Sequence, residues 1–90
     1  MARVFITGSS DGIGLMAANL LIEQGHKVLL HARHEKRAKE ALTKVPGAEG
    51  VVTGDLSIIA ETVHVAEQVN ALGKFDAVIH NAAIGYREPK

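Results

Sequence analysis

The chain contains no cysteine and no tryptophan, and two phenylalanines and one tyrosine are its whole aromatic content. Without thiols there can be no disulfides, thiolate nucleophiles or thiolate metal sites, and a small domain lacking covalent staples is expected in the cytoplasm. So few aromatics offer no platform on which bases could stack. Ten acidic residues balance ten basic ones, and no basic stripe emerges, so nucleic acid is not expected as a partner. No apolar run approaches the ~20 residues that a membrane span requires, so no membrane association is expected. The opening Met1-Ala2-Arg3 passes at once into an apolar run, leaving no room for a secretory leader.

What is present is the composition of an ordinary globular segment, 47% apolar and 22% charged. Ninety residues support one domain or part of one, with no linker or low-complexity tract to divide residues 1–90. Apolar runs alternate with stretches of helical spacing. Strands are expected at Arg3–Thr7, Lys27–Ala32, Gly50–Thr53 and Phe75–His80, and helices at Ile13–Gln24, His34–Lys44 and Ser57–Leu72. Pro46-Gly47 reads as a turn and Gly73-Lys74 as a helix end. The strands are continuously rich in Val, Ile and Leu, as in a parallel sheet buried on both faces. Right-handed crossovers then give the strand order 3-2-1-4, so the fold class is α/β, a partial doubly wound sheet of the Rossmann type. In the first helix Ile13, Met16, Ala17, Leu20 and Leu21 form an apolar stripe at helical spacing. In the third, Ile59, Val63, Ala66, Val69 and Leu72 make one face, widened by Ile58, Val65 and Ala71, and the apolar surface is expected to pack on the sheet.

The chain is organised around Thr7-Gly8-Ser9-Ser10-Asp11-Gly12-Ile13-Gly14, which joins the first strand to the first helix. A helix N-terminus carries amide groups without intrahelical acceptors and about half a positive charge, so an anion can be held there by main chain alone. Gly8 can take the left-handed turn out of the strand, and Gly12 and Gly14 bring no side chain between those amides and a pyrophosphate. Gly12 to Ala17 also fits G-x-G-x-x-G/A within a βαβ unit. No Gly-Lys-Ser/Thr closes the loop, which excludes a Walker phosphate loop. His26, His31, His34, His64 and His80 lack zinc spacing and an accompanying carboxylate set, so they read as surface or strand-end histidines and no metal is expected.

The glycine stretch resembles the T-G-x-x-x-G-I-G cofactor motif of the short-chain dehydrogenase/reductase family. Three further stretches agree in order and spacing: Ala32-Arg33 after the second strand, Gly54-Asp55-Leu56 after the third, and His80-Asn81-Ala82-Ala83 after the fourth, similar to the family's N-N-A-G. The resemblance covers the whole chain. It implies that a dinucleotide is bound by Gly8, Ser9, Ser10, Gly12, Ile13 and Gly14 at the pyrophosphate, with Asp55 and Leu56 at the adenine. Asn81, Ala82 and Ala83 are implied near the adenosine ribose. His80 and Ala83 stand where the family has Asn and Gly.

The end of the second strand separates the two cofactors. A carboxylate there holds the 2′-hydroxyl of NAD, whereas an arginine accommodates the 2′-phosphate of NADP. Arg33 occupies this place, with no acid before Glu35, so NADP is expected in preference to NAD. Asp11 lies inside the glycine loop, where some NADP-preferring relatives carry a basic residue.

In the family the catalytic groups are a serine and a Y-x-x-x-K pair on a later helix. Tyr86 and Lys90 match that spacing, but Pro89 disfavours a helix at Glu88 and no serine follows Ser57. No catalytic residue is therefore expected within these ninety residues, which should be inactive on their own. Two functions stay open: the NADP(H)-binding segment of an oxidoreductase, and a non-catalytic nucleotide-binding or interaction module on the same scaffold. The fourth strand is left without a neighbour on one side, so self-association or a homo-oligomer is expected.

Overall fold

The computed structural model describes residues 2–8 and 12–80, with the main chain alone at His80. Strands and helices alternate: β1 (Arg3–Thr7), α1 (Gly12–Glu23), β2 (Lys27–Ala32), α2 (Glu35–Lys44), β3 (Gly50–Thr53), α3 (Ile59–Ala71) and β4 (Ala77–His80). All three pairings are parallel, and the strand order is β3-β2-β1-β4. This is the order expected from right-handed crossovers. The register places Val4 beside Val28 and Ala77, and Leu29 beside Gly50.

Strand alternation divides the core into two layers. Val4, Ile6, Val28 and Leu30 point to one face and pack with Ala18 of α1, Ala41 of α2 and Val45. Phe5, Leu29 and Val52 point to the other face, against Val65 of α3. Ile6, Val28, Leu29 and Leu30 are all fully buried, which is worth about 1.5–3 kcal/mol for each side chain. The two central strands thus carry most of the hydrophobic stabilisation.

Two helix faces differ from the sequence expectation. In α1 the inward positions are Gly14 and Ala18, flanked by half-buried Leu15, Ala17, Leu21 and Ile22. Ile13, Met16 and Leu20 are 74%, 64% and 54% exposed. The helix is apolar almost all round, so spacing alone could not choose its buried side. The small residues decide it, because Gly14 and Ala18 let the helix axis approach the strands more closely than a stripe of large side chains would. In α3 the buried residue is Val65, supported by Val69, and Ile59, Val63, Ala66 and Leu72 are exposed.

Gly54, next to the end of β3, explains how α3 is seated. A methyl group at Gly54 would collide with the Val65 side chain and lie 3.1 Å from the Glu61 carbonyl oxygen. Only glycine permits so close an approach. The Gln68 side-chain amide also donates to the Thr53 carbonyl oxygen at 3.0 Å, locking the same crossing.

β4 is an edge strand. Val78 and Ile79 are 48% and 38% exposed, in contrast to the buried central strands. Beside β4 on the α3 side lies an apolar groove of about 300 Å³, lined by Phe5, Leu56, Val65, Val69 and Val78 among others.

Candidate nucleotide-binding edge

Because the sheet is parallel, β1, β2 and β3 deliver their carboxyl ends to a single edge. There Thr7-Gly8, Ala32-Arg33 and Gly54-Asp55-Leu56 emerge side by side. Open α/β sheets bind ligands outside this edge.

Two glycines of the turn take conformations that favour glycine. Gly8 and Gly12 have φ of +64° and +51°, in the left-handed region that other residues rarely enter. Gly12 opens α1, and a Cβ built on it meets nothing within 4 Å. A side chain at Gly12 would therefore meet no steric obstacle among the described residues, and the first α1 amides have no acceptors within the helix. Gly14 is buried two residues on, inside the helix. The donor set suits a pyrophosphate, which takes main-chain N–H groups at a helix N-terminus. Ser9, Ser10 and Asp11 lie outside the described residues, as do Asn81, Ala82, Ala83, Tyr86 and Lys90. Ile13, expected as part of the motif, is largely exposed at the start of α1.

Arg33, expected at the 2′-phosphate, and Asp55, expected at the adenine, come together: Arg33 Nε donates to Asp55 Oδ2 at 3.3 Å. The Arg33 side chain is 67% exposed, which leaves its guanidinium accessible from solvent. Asp55 Oδ1 accepts from both the Ser57 amide, at 3.0 Å, and the Ser57 hydroxyl, at 2.7 Å. These two donors, and after them the Arg33 charge, hold the Asp55 carboxyl below the usual carboxylate range. The Asp55 amide in turn donates to Glu61 Oε1 at 2.6 Å. Asp55 is thus fixed by the turn that leads into α3, while Leu56 is half-buried against the Phe5 and Val65 layer.

His31, read from the sequence as an ordinary surface or strand-end histidine, closes the edge. It is 3% exposed, within a strand buried on both faces. Its Nδ1 accepts from the Gly8 amide at 2.8 Å, and its Nε2 lies 2.8 Å from the Gly54 carbonyl oxygen. Since an amide only donates and a carbonyl only accepts, the ring must be neutral with its proton on Nε2. Burial is the main influence lowering its pKa below 6.5, opposed by the Gly54 carbonyl and Asp55. The available signal was a polar residue inside Val28-Leu29-Leu30-His31-Ala32, because a polar group buried there must find partners. Among the described residues no group of three or more His, Cys, Asp or Glu could hold a metal ion. No helix among them is long and apolar enough to cross a membrane.

The sequence profile of the short chain dehydrogenase family matches residues 2–90. The chain belongs to the short-chain dehydrogenase/reductase family, oxidoreductases built on an NAD(P)-binding Rossmann fold. It is 64% identical over 86 residues to an uncharacterized oxidoreductase of Emericella nidulans, covering 96% of this chain and 34% of that protein. It is 56% identical over 86 residues to the short-chain dehydrogenase chry4 of Gibberella zeae, covering 96% of this chain and 33% of that protein. Among solved structures it is similar to a variant of actinorhodin polyketide ketoreductase crystallised with NADPH. There the TM-score is 0.74 and the identity 28%, over 90% of this chain and 33% of that one. The chain spans about a third of the length of the curated relatives it matches.

Proposed function

We propose that this chain is the NADP(H)-binding segment of a short-chain dehydrogenase/reductase, forming a single incomplete Rossmann domain that holds the adenosine and pyrophosphate half of the cofactor. The observation that carries this is the N-terminus of α1, beginning at the glycine Gly12, set on the same sheet edge as Arg33 and Asp55. In this proposal Gly8, Ser9, Ser10, Gly12, Ile13 and Gly14 form the pyrophosphate turn, Gly12 and Gly14 leaving α1 amides accessible. Asp55 accepts from the adenine amino group and Leu56 packs on the ring. Asn81, Ala82 and Ala83 lie along the adenosine ribose.

Arg33 is the NADP-selective group. A 2′-phosphate competes with Asp55 for its guanidinium and outbids a single carboxylate by offering more oxygens and more charge. Hydride exchange with a carbonyl or alcohol carbon is the chemistry a nicotinamide cofactor supplies when bound. The ninety residues contribute binding to that chemistry and no acid–base group, so on their own they are expected to be inactive. The family match along the chain disfavours a non-catalytic interaction module.

Calorimetric titration of the purified chain with NADPH, NADH and ATP tests this proposal. NADPH should bind more tightly than NADH, and Arg33→Ala should abolish the preference with a loss of about tenfold in NADPH affinity. Equal binding of the two by the wild-type chain would remove Arg33 from its role, and no binding of either would remove the dinucleotide. The exposed Val78 and Ile79 on edge strand β4 also support self-association. Sedimentation equilibrium should show species larger than the monomer, and a monodisperse monomer would refute that expectation.

A further inference from the structure

The most deeply placed titratable side chain at the binding edge is one that the proposed cofactor contacts do not use. His31 is 3% exposed, stands in β2 between β1 and β3, and packs edge-on against Phe5 with ring centroids 6.5 Å apart. It reaches sideways along the carboxyl edge in both directions. One nitrogen takes the Gly8 amide and the other meets the Gly54 carbonyl, each at 2.8 Å. Gly8 and Gly54 belong to different strand-to-helix turns, so a single planar ring sets the spacing between them.

We propose that His31 is the positioning residue of the dinucleotide site, fixing the glycine turn by holding the Gly8 amide as an acceptor from within the sheet. This rests on the dinucleotide function proposed above. At Gly8 the main chain is already at φ +64°, a conformation that a flexible turn would populate only part of the time. Giving its N–H a buried acceptor selects that one conformation. Fixing Gly8 fixes the direction in which the chain leaves β1, and hence where the α1 amides stand when an anion arrives. The same ring, through Gly54, ties the pyrophosphate turn to the loop that carries Asp55. Affinity then depends on His31 although His31 touches no ligand, because a turn ordered in advance loses less freedom on binding.

The ring's chemistry makes the test specific. Leucine at this position fills similar volume and has neither an acceptor nor a donor. Glutamine offers a carbonyl oxygen to Gly8 and an amide to Gly54 through one side chain. Three measurements on the ninety-residue chain decide the proposal: the ¹⁵N spectrum of the wild-type imidazole, hydrogen exchange at the Gly8 amide, and calorimetric NADPH affinity. The wild-type ring should be neutral with its proton on Nε2. His31→Leu should speed Gly8 exchange and weaken NADPH binding, each by about tenfold, as expected from removing the imidazole acceptor of a half-buried amide. His31→Gln should recover most of both losses.

A proton on Nδ1 in the wild-type chain overturns the proposal without any variant, even if His31→Leu does not fold. Glutamine no better than leucine, or undiminished NADPH affinity in folded His31→Leu, overturns it as well. If the wild-type chain binds neither NADPH nor NADH, the dinucleotide function falls and takes this role with it. That result differs from a wild type that binds and a leucine variant that binds equally well, which removes His31 alone.

Discussion

The two edges of the sheet are fastened differently. At the amino edge, where β1, β2 and β4 begin, a two-pronged ion pair is joined by main-chain amides held on side chains. Arg3 forms a two-pronged pair with Glu49, at 2.9 and 2.7 Å, and its guanidinium lies 4.2 Å from the centre of the Phe75 ring. Its main-chain amide donates to Asp76 Oδ2 at 2.7 Å, while the Ala2 amide donates to His26 Nδ1 at 2.9 Å. At the carboxyl edge one neutral imidazole binds main chain on either side, and glycines take conformations or approaches that other residues could not. The amino edge is closed by groups that satisfy one another, and the carboxyl edge is the one on which the proposed dinucleotide contacts fall.

The sharpest way to break this contrast is at Gly54. Gly54→Ala forces a methyl group toward Val65 and the Glu61 carbonyl and should destabilise the chain by about 1–3 kcal/mol. Urea unfolding reads this directly, and a cost near zero would mean that α3 can slide away from β3 without consequence.

A pair of glycines then separates the edges. Gly12 and Gly25 both have positive φ, +51° and +91°, and at both an added Cβ meets nothing within 4 Å. Gly25 ends α1 on the amino side, where its amide donates to the Ile22 carbonyl and the His26 amide to that of Leu21, the hydrogen-bond pattern of a glycine helix stop. Alanine at either position should cost about 1–2 kcal/mol from left-handed strain alone. Only Gly12→Ala should also weaken NADPH binding, as calorimetry on both variants would show. Equal affinity in the two variants would erase the functional distinction between the edges.

The smallest effect is one of pH, and it acts on the edges in sequence. The folded His31 pKa lies below 6.5, so the unfolded chain takes up that proton first. Its contribution is complete above pH 6.5 and is lost as the pH falls toward the folded value. The Arg3 hydrogen bond, above all, holds Glu49 below its ordinary 4.5. That contribution is present above pH 4.5 and is lost only as the pH falls further. Acid should therefore disturb the Gly8 amide before it disturbs the Arg3 Nε–H, which donates to Glu49, in a ¹⁵N-resolved titration. Glu49→Gln should remove the lower step at a cost of only about 0.2–1 kcal/mol, since the pair is partly exposed.

The strand plan and the position of the glycine turn were legible in the sequence because both depend on contiguous residues. Val4-Phe5-Ile6 and Val28-Leu29-Leu30 are uninterrupted apolar runs, and crossover handedness then orders the sheet. The buried faces of α1 and α3 were not legible, because Ile13, Met16 and Leu20 are as apolar as the residues that face inward. What decides the matter is how small Gly14 and Ala18 are, and how near Gly54 allows Val65 to come. Of the expected site, the sequence brought out Gly12, Arg33 and Asp55 by position along the chain. The Arg33–Asp55 pair and the His31 bridge join residues 22 and 23 positions apart, and no local pattern encodes such a meeting.

The parallel register also sets a timetable. The Arg3 amide and the Asp76 carboxylate that receives it are 73 residues apart, so β1 is made long before the strand that flanks it on one side. At a synthesis rate of roughly 5–20 residues per second, that interval is about 4–15 s. For that time one of the two buried central strands has one flank open to the ribosome's surroundings, and early sheltering of Val4-Phe5-Ile6 falls to β2 and α1.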